Sequence, residues 1–268
     1  MGREIETRLH FSYEMLMTYE EAVRQAYFTI KGCPKSTARQ EISGIEITME
    51  PEVRRMEGTD SFGNIQVYGS TDCPHRLFRY RISGQARIGQ ILYEEKAAEE
   101  EIWIYRHPHG LNRPGPALEA YFDSLKGQLE ENAYVNAVFL MRTLHREFSY
   151  RKGITHAGTT AEEAWMLGGG VCQDYAHIFI ALCQMAGIPA RYVTGLITGE
   201  GASHAWAEIL YHGKWIGMDP TNDLLVAGFH IKFGHGRDAG DCLINRGILR
   251  GGGAQHQEIR VSVTEMAF

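Results

Sequence analysis

Gly168-Gly-Gly-Val-Cys172-Gln-Asp-Tyr-Ala-His177 is the stretch on which the reading of this chain turns. Two short segments follow it: Ser203-His204-Ala-Trp206 and Met218-Asp219-Pro-Thr-Asn222. A cysteine, a histidine and an aspartate occur in that chain order, each in a setting that suits acyl transfer.

Cys172, Ala176, Phe179, Cys183 and Ala186 fall at i, i+4, i+7, i+11 and i+14, one face of a helix. Gly187 and then Ile188-Pro189 form a stop signal. The spacing predicts a helix from Cys172 to Ala186, with Cys172 in its first turn and Cys183 deeper on the same stripe. His177 lies about 140° around that helix from Cys172 and reads as a core or boundary histidine. Gln173 and Asp174 read as fasteners of the helix start, Trp206 as a wall beside the site, and Glu208 as a partner for Arg191.

Arg191 to Ile197 is apolar and β-prone, His204 to Tyr211 alternates, and Lys214 to Met218 follows His212-Gly213. A two-residue turn there gives a tight hairpin. Tyr211 then faces Lys214, Trp206 faces Asp219, and His204 faces Thr221. Alternation puts His204, Trp206, Asp219 and Thr221 on one face. His204 and Asp219 become diagonal neighbours, about 7 Å apart at the backbone, within reach of a carboxylate–imidazole hydrogen bond. A loop one residue longer would destroy this arrangement.

A thiol is a poor nucleophile until ionised, and a helix N-terminus and an adjacent imidazolium both stabilise a thiolate. The expected division of labour is Cys172 as nucleophile, His204 as proton carrier and Asp219 as the group that orients it. Gly168, Gly169 and Gly170 are expected to leave the backbone bare, so that a substrate carbonyl meets exposed N–H groups.

Further out, Thr160 with Glu163 forms a capping box ahead of another helix. Residues 117 to 148 are helical in pattern, with a break near Gly127. The segment 107 to 116 holds three prolines and two glycines and reads as a joint. The region before it alternates over Glu6 to Tyr13, Glu41 to Met49, Asn64 to Tyr68 and Arg76 to Ile82, divided by Lys31-Gly-Cys-Pro34, Asp60-Ser-Phe-Gly-Asn64 and Asp72-Cys-Pro74. The expected class is α+β: a β-rich N-terminal domain over 1–106 and a cysteine-enzyme core over 107–268. The tail adds strand signals at Ile231 to Phe233 and Glu258 to Thr264, with Gly251-Gly-Gly253 as a hairpin or loop.

The chain has 268 residues, 44% apolar and 22% charged, with a formal net charge of −6. That charge does not favour a nucleic-acid partner, and no apolar run is long enough to span a bilayer. Met1-Gly2-Arg3-Glu4 lacks a signal-peptide layout, and Glu6 stands where a myristoylation motif needs Ser or Thr. A cytoplasmic setting is expected, with no membrane partner. Cys33, Cys73, Cys172, Cys183 and Cys242 are odd in number and contain no Cys-x-x-Cys pair, which fits free thiols. Cys183 reads as core, and Cys33, Cys73 and Cys242 as bystanders. His107 with His109, and His230 with His235, lack the carboxylate and cysteine pattern of a metal site. No acidic calcium loop is present.

Gly-Val-Cys172-Gln-Asp-Tyr-Ala-His177, Gly187-Ile-Pro-Ala-Arg-Tyr-Val193, Ser203-His204-Ala-Trp206-Ala-Glu208 and Asp219-Pro-Thr-Asn222 together resemble the bacterial transglutaminase-like superfamily. His235-Gly-Arg-Asp238 with Asp241 is similar to that family's C-terminal part, and the β-rich start to the region that often precedes the core in bacteria. The resemblance implies a papain-like core whose nucleophile, base and third member map to Cys172, His204 and Asp219. It implies an upstream side chain that helps the oxyanion, for which Tyr150 and Thr155 are the candidates. The expected activity is hydrolysis of a peptide or protein amide through a thioester, without metal or organic cofactor. Amine transfer by a transglutaminase is the alternative, and a binding or scaffold protein working through its β-rich region is an alternative of another class. A redox pair of Cys172 with Cys183 is excluded, since three helical turns are too far to bridge.

Overall fold

The computed structural model describes residues 7–266, apart from the side chains of residues 100 and 101. Met1 to Glu4 and Glu6, on which the leader and lipidation readings rest, lie outside the described residues. The strands are β1 (Thr7–Ile30), β2 (Gln40–Glu50), β3 (Arg54–Thr59), β4 (Ile65–Thr71) and β5 (His75–Ile88). Two short 3-10 turns follow, then α1 (Pro116–Lys126), α2 (Ala133–Glu147), β6 (Ser149–Tyr150), α3 (Ala161–Leu167), β7 (Gly169–Gly170) and α4 (Cys172–Met185). The rest is β8 (Ala190–Ile197), β9 (Gly199–Gly201), β10 (His204–Tyr211), β11 (Lys214–Asp219), β12 (Leu224–Leu225), β13 (His230–Gly236), β14 (Asn245–Gly251) and β15 (Gln255–Glu265). The class is α+β, and no helix among the described residues is long and apolar enough to cross a membrane.

Local signals account for the helix ends. Pro116, the last residue of the expected joint, opens α1, where its missing N–H is harmless. The α3 start carries both halves of the Thr160/Glu163 capping box. Gly187 takes φ +76° just past α4, a conformation that side chains with a Cβ resist.

The large sheet is organised by β1, 24 residues long. Its first half lies between β5 and β15, with Leu9, Phe11, Tyr13, Met15 and Met17 buried. Val23 continues that buried set, and a one-residue irregularity between Val23 and Gln25 moves it to Phe28 and Ile30, as such a slip must. The second half lies between β4 and β14. β14 and β15 thus return across the expected division at 106/107. They do so because an interior strand needs partners on both edges, and the N-terminal region alone leaves one edge of β1 bare over Leu9 to Tyr19.

The smaller sheet runs β12-β11-β10-β8-β13. Ala190, Ala205, Ala207 and Ile209 pack with Ala176, Phe179, Ile180 and Cys183 of α4. Leu196, Ile231 and Phe233 join the cluster of the large sheet, where the Phe233 ring meets Tyr13 edge-on at 6.0 Å. The two sheets therefore share a core.

Two side-chain amides close the free edge of β13. Gln40 donates to the Lys232 carbonyl at 2.9 Å and accepts from the Lys232 N–H at 2.8 Å. Asn64 donates to the His235 carbonyl at 2.7 Å and accepts from the His235 N–H at 2.8 Å. Each amide does what a neighbouring strand would do. Asp60 aims Asn64 by accepting from its side chain at 3.0 Å and its backbone at 2.9 Å. The turn Asp60-Ser-Phe-Gly-Asn64 is thus a dock as well as a strand divider. Gly234 sits under it, since a Cβ there would lie 2.8 Å from the Asn64 oxygen.

Beside this seam lies a buried charge group. Arg191 faces Glu208 across β8 and β10 at 2.6 Å. Lys232 reaches both Glu208 oxygens at 2.8 and 2.9 Å, and Glu95 accepts from Arg191 at 2.5 Å. Burial works against the Glu95 carboxylate, but Lys232 and Arg191 hold it at about 2. His235, alongside, is pushed well below its usual range by burial and by the charges of Arg191, Lys232 and Lys35. Removing one partner of such a group strands the others. Glu208→Gln is expected to lower stability by about 3–5 kcal/mol in urea unfolding. Glu41→Gln, which breaks the exposed pair with Arg87, is expected to change it by no more than about 1 kcal/mol.

Candidate active site

Cys172 is the first residue of α4 and is half-buried. What precedes it differs from the sequence reading. Gly168 takes φ +66° to end α3, while Gly169 and Gly170 are buried in a two-residue parallel ladder with Ser149 and Tyr150. A Cβ on Gly169 would lie 2.8 Å from the Ser149 carbonyl oxygen, and one on Gly170 2.4 Å from the Asp174 carboxylate. These glycines allow three backbone segments to close behind the cysteine; they do not hold a bare surface open for substrate.

Asp174 ties the helix start, accepting from the Val171 N–H and the Thr155 hydroxyl, both at 2.7 Å. Burial raises its carboxyl against those two hydrogen bonds. Thr155 is therefore engaged by Asp174, which counts against it as the oxyanion side chain. Tyr150 is half-exposed, and burial and the adjacent Cys172 raise its phenol above the usual range. Gln173 donates to the Ala157 carbonyl at 3.2 Å, so both residues after the cysteine act as fasteners.

The hairpin register is the one that the two-residue turn requires, from Tyr211 opposite Lys214 to Ala207 opposite Met218. His212 and Gly213 carry φ +48° and +69°, the primed-turn conformation that suits the strand twist. The diagonal pair results: His204 Nε2 lies 2.7 Å from Asp219 Oδ2. The other ring nitrogen is left for Cys172, whose thiol lies close enough to the His204 side chain to act on its charge. Burial would lower the His204 imidazole, but the hydrogen bond to Asp219 and the nearness of Asp219 and Cys172 raise it to about 10.

Asp219 has no exposed surface and accepts five hydrogen bonds. His204, His230 and Asn222 Nδ2 share Oδ2 at 2.7, 3.1 and 2.8 Å. The Thr221 and Asn222 N–H groups share Oδ1 at 3.0 and 3.2 Å. Burial favours its neutral form, but the two histidines, the His204 charge and Asn222 hold the carboxyl well below its ordinary range. Trp206 is fully buried, 6.1 Å from the His204 ring and 5.2 Å from the His230 ring, a wall as read.

His230 was left unassigned by the sequence. Its spacing of five from His235 carries no signal, because its position depends on β13 pairing with β8, where it lies opposite Ile197. His177 accepts from the Ala239 N–H at 3.1 Å, and burial lowers it to about 4, with Asp238 acting against that. It is a neutral core histidine. Among the other thiols, Cys33, Cys183 and Cys242 are buried, and burial pushes all three up, Cys33 to about 11. The one metal-capable trio among the described residues is His204, Asp219 and His230, with ligand atoms within 4.8 Å of one another. Those same atoms are already paired with each other.

The raised His204 gives a pH test. Its stabilising contribution is full below about 6.5, its unfolded value, and fades as pH rises through about 10. Urea unfolding should show the gap between wild type and His204→Ala larger at pH 6 than at pH 10.

Comparison with known proteins gives the family and the fold. Residues 121–220 match the transglutaminase-like superfamily, and residues 9–87 match the bacterial transglutaminase-like N-terminal region. An uncharacterized protein of Mycobacterium tuberculosis is 28% identical over 93% of this chain and 90% of its own length. A protein-glutamine gamma-glutamyltransferase of Pseudomonas aeruginosa is 27% identical over 54% of this chain and 23% of its own. The crystal structure of a candidate cysteine protease from Cytophaga hutchinsonii shares the fold, with a TM-score of 0.82 at 20% identity, covering 98% of this chain and 92% of that one. The chain belongs to the transglutaminase-like superfamily, its core preceded by the bacterial transglutaminase-like N-terminal region.

Proposed function

We propose that this chain is a thiol enzyme that hydrolyses amide bonds in peptides or proteins, with Cys172 as nucleophile, His204 as proton carrier and Asp219 as the residue that orients His204. The observation that carries the reading is the run from a half-buried cysteine at a helix N-terminus, through the neighbouring His204, to the buried Asp219 that His204 hydrogen-bonds at 2.7 Å. The thiolate sulfur adds to the amide carbonyl carbon, and the oxygen takes the electron pair. The Cys172 N–H, a first-turn amide without a helical partner, faces that oxyanion. His204 gives its proton to the leaving nitrogen, the C–N bond breaks, and a thioester forms. Water then attacks, His204 takes a proton from it, and the thiolate leaves with the acid as product.

Cys172 is partly exposed, so water can reach the thioester. An amine in its place would give transfer, the activity in the name of the Pseudomonas relative. Five free thiols accord with a reducing compartment.

The test is limiting iodoacetamide across pH 5 to 9, with adducts located by mass spectrometry. Cys172 is expected to label first, below neutral pH, and about tenfold or more slower in His204→Ala. Equal, slow labelling of all five cysteines would reject the reading. Incubating a peptide mixture with and without a primary amine then separates hydrolysis, which gains water, from transfer, which gains the amine.

A further inference from the structure

We infer that His230 is a positioning residue for the proposed reaction: its Nε2–H anchors the Asp219 carboxylate, and through it the His204 ring, to the far side of the smaller sheet. The inference rests on the triad reading above.

The strand order makes the contact informative. Asp219 ends β11 and His230 opens β13, and β10 and β8 lie between them. In a flat sheet those strands would stand roughly 14 Å apart, yet the side chains meet at 3.1 Å. The sheet is curled strongly enough for its two sides to touch over Trp206. Gly195 permits the curl, since a Cβ there would lie 2.5 Å from the Trp206 ring.

The donors to Asp219 are not equivalent. Thr221 N–H, Asn222 N–H and Asn222 Nδ2 belong to its own turn and move with it. His204 is the group to be positioned. His230 is the donor that comes from outside the hairpin and its turn, among the described residues. It is itself held, because Arg39 donates to its carbonyl at 3.3 Å and its N–H donates to the Ala227 carbonyl at 3.2 Å.

The proton inventory assigns the useful atom. An ionised Asp219 is an acceptor only, so His230 Nε2 carries the hydrogen. Asp219, His204 and Arg39 are the charged and titratable groups facing His230. Burial, with the charges of His204 and Arg39, lowers the ring against the pull of Asp219 and keeps it neutral. Nδ1 is then a buried acceptor without a partner, a destabilising feature. A phenyl ring would fill the same space against Trp206 without that defect. The imidazole is useful here for Nε2–H, not for packing.

His230→Phe and His230→Gln test this, the first removing the donor and the second returning one near the same point. The readouts are the melting temperature and the pH profile of Cys172 alkylation by iodoacetamide. His230→Phe should melt close to the wild-type temperature, since the hydrogen bond lost to Asp219 is offset by removal of the unpartnered Nδ1. Its alkylation profile should move to higher pH by about half a unit, so that labelling at pH 6 falls about threefold. His230→Gln should restore the wild-type profile. A wild-type profile in His230→Phe overturns the inference. So does a parallel loss of melting temperature and labelling in both variants, which marks a structural role. Failure of wild-type Cys172 to label selectively identifies the triad reading as what failed.

Discussion

A carboxylate with no exposed surface can stay ionised only where donors replace the water it has lost. Asp219 is such a group, and much of the core is arranged around that requirement. Its own turn supplies three hydrogen bonds, the hairpin partner strand a fourth and β13 the fifth. Once satisfied, the charge holds an imidazolium beside it, and the imidazolium stands beside Cys172. The curl of the sheet, the glycine under Trp206 and the register of the hairpin are all conditions for that set of donors to converge.

The parts of this arrangement that could be read from sequence are those fixed by local chemistry. His212-Gly213 can form a two-residue primed turn, and the turn sets every cross-strand pair back to His204. The apolar stripe, Gly187 and Pro189 bound α4 to within one residue, and Thr160 with Glu163 marks α3. The unread parts depend on strand order. No local pattern announces that residues 245–265 complete the sheet begun by β1, or that His230 lies across two strands from Asp219. The glycines before Cys172 were legible as a motif but ambiguous in meaning, since bare backbone serves close packing as well as exposure. Thr155 was ambiguous for a similar reason: a hydroxyl upstream of the cysteine suits an oxyanion, but here it serves the helix start.

The N-terminal region is more than a cover. Gln40 and Asn64 act as single-residue strands on the edge of β13, and Arg39 holds the His230 carbonyl from the same side. The adjoining group of Arg191, Glu208, Lys232 and Glu95 fixes the same strand through charge. Burying such ions contributes little net stability compared with apolar packing, but misalignment leaves a charge unpaired. The seam therefore penalises any register of β13 other than this one. Through it, residues 39 to 64 bear on a thiol more than a hundred positions later.

The two-sided pairing of β1 also governs the order in which the molecule can be made. β14 and β15, which pair with β1 over Val23 to Ile30 and Leu9 to Tyr19, are synthesised long after it. Contacts of such sequence separation are slow to close. Until they close, an alternating strand with an open edge is exposed to any partner at hand. A nascent chain thus needs that edge shielded until β14 and β15 arrive.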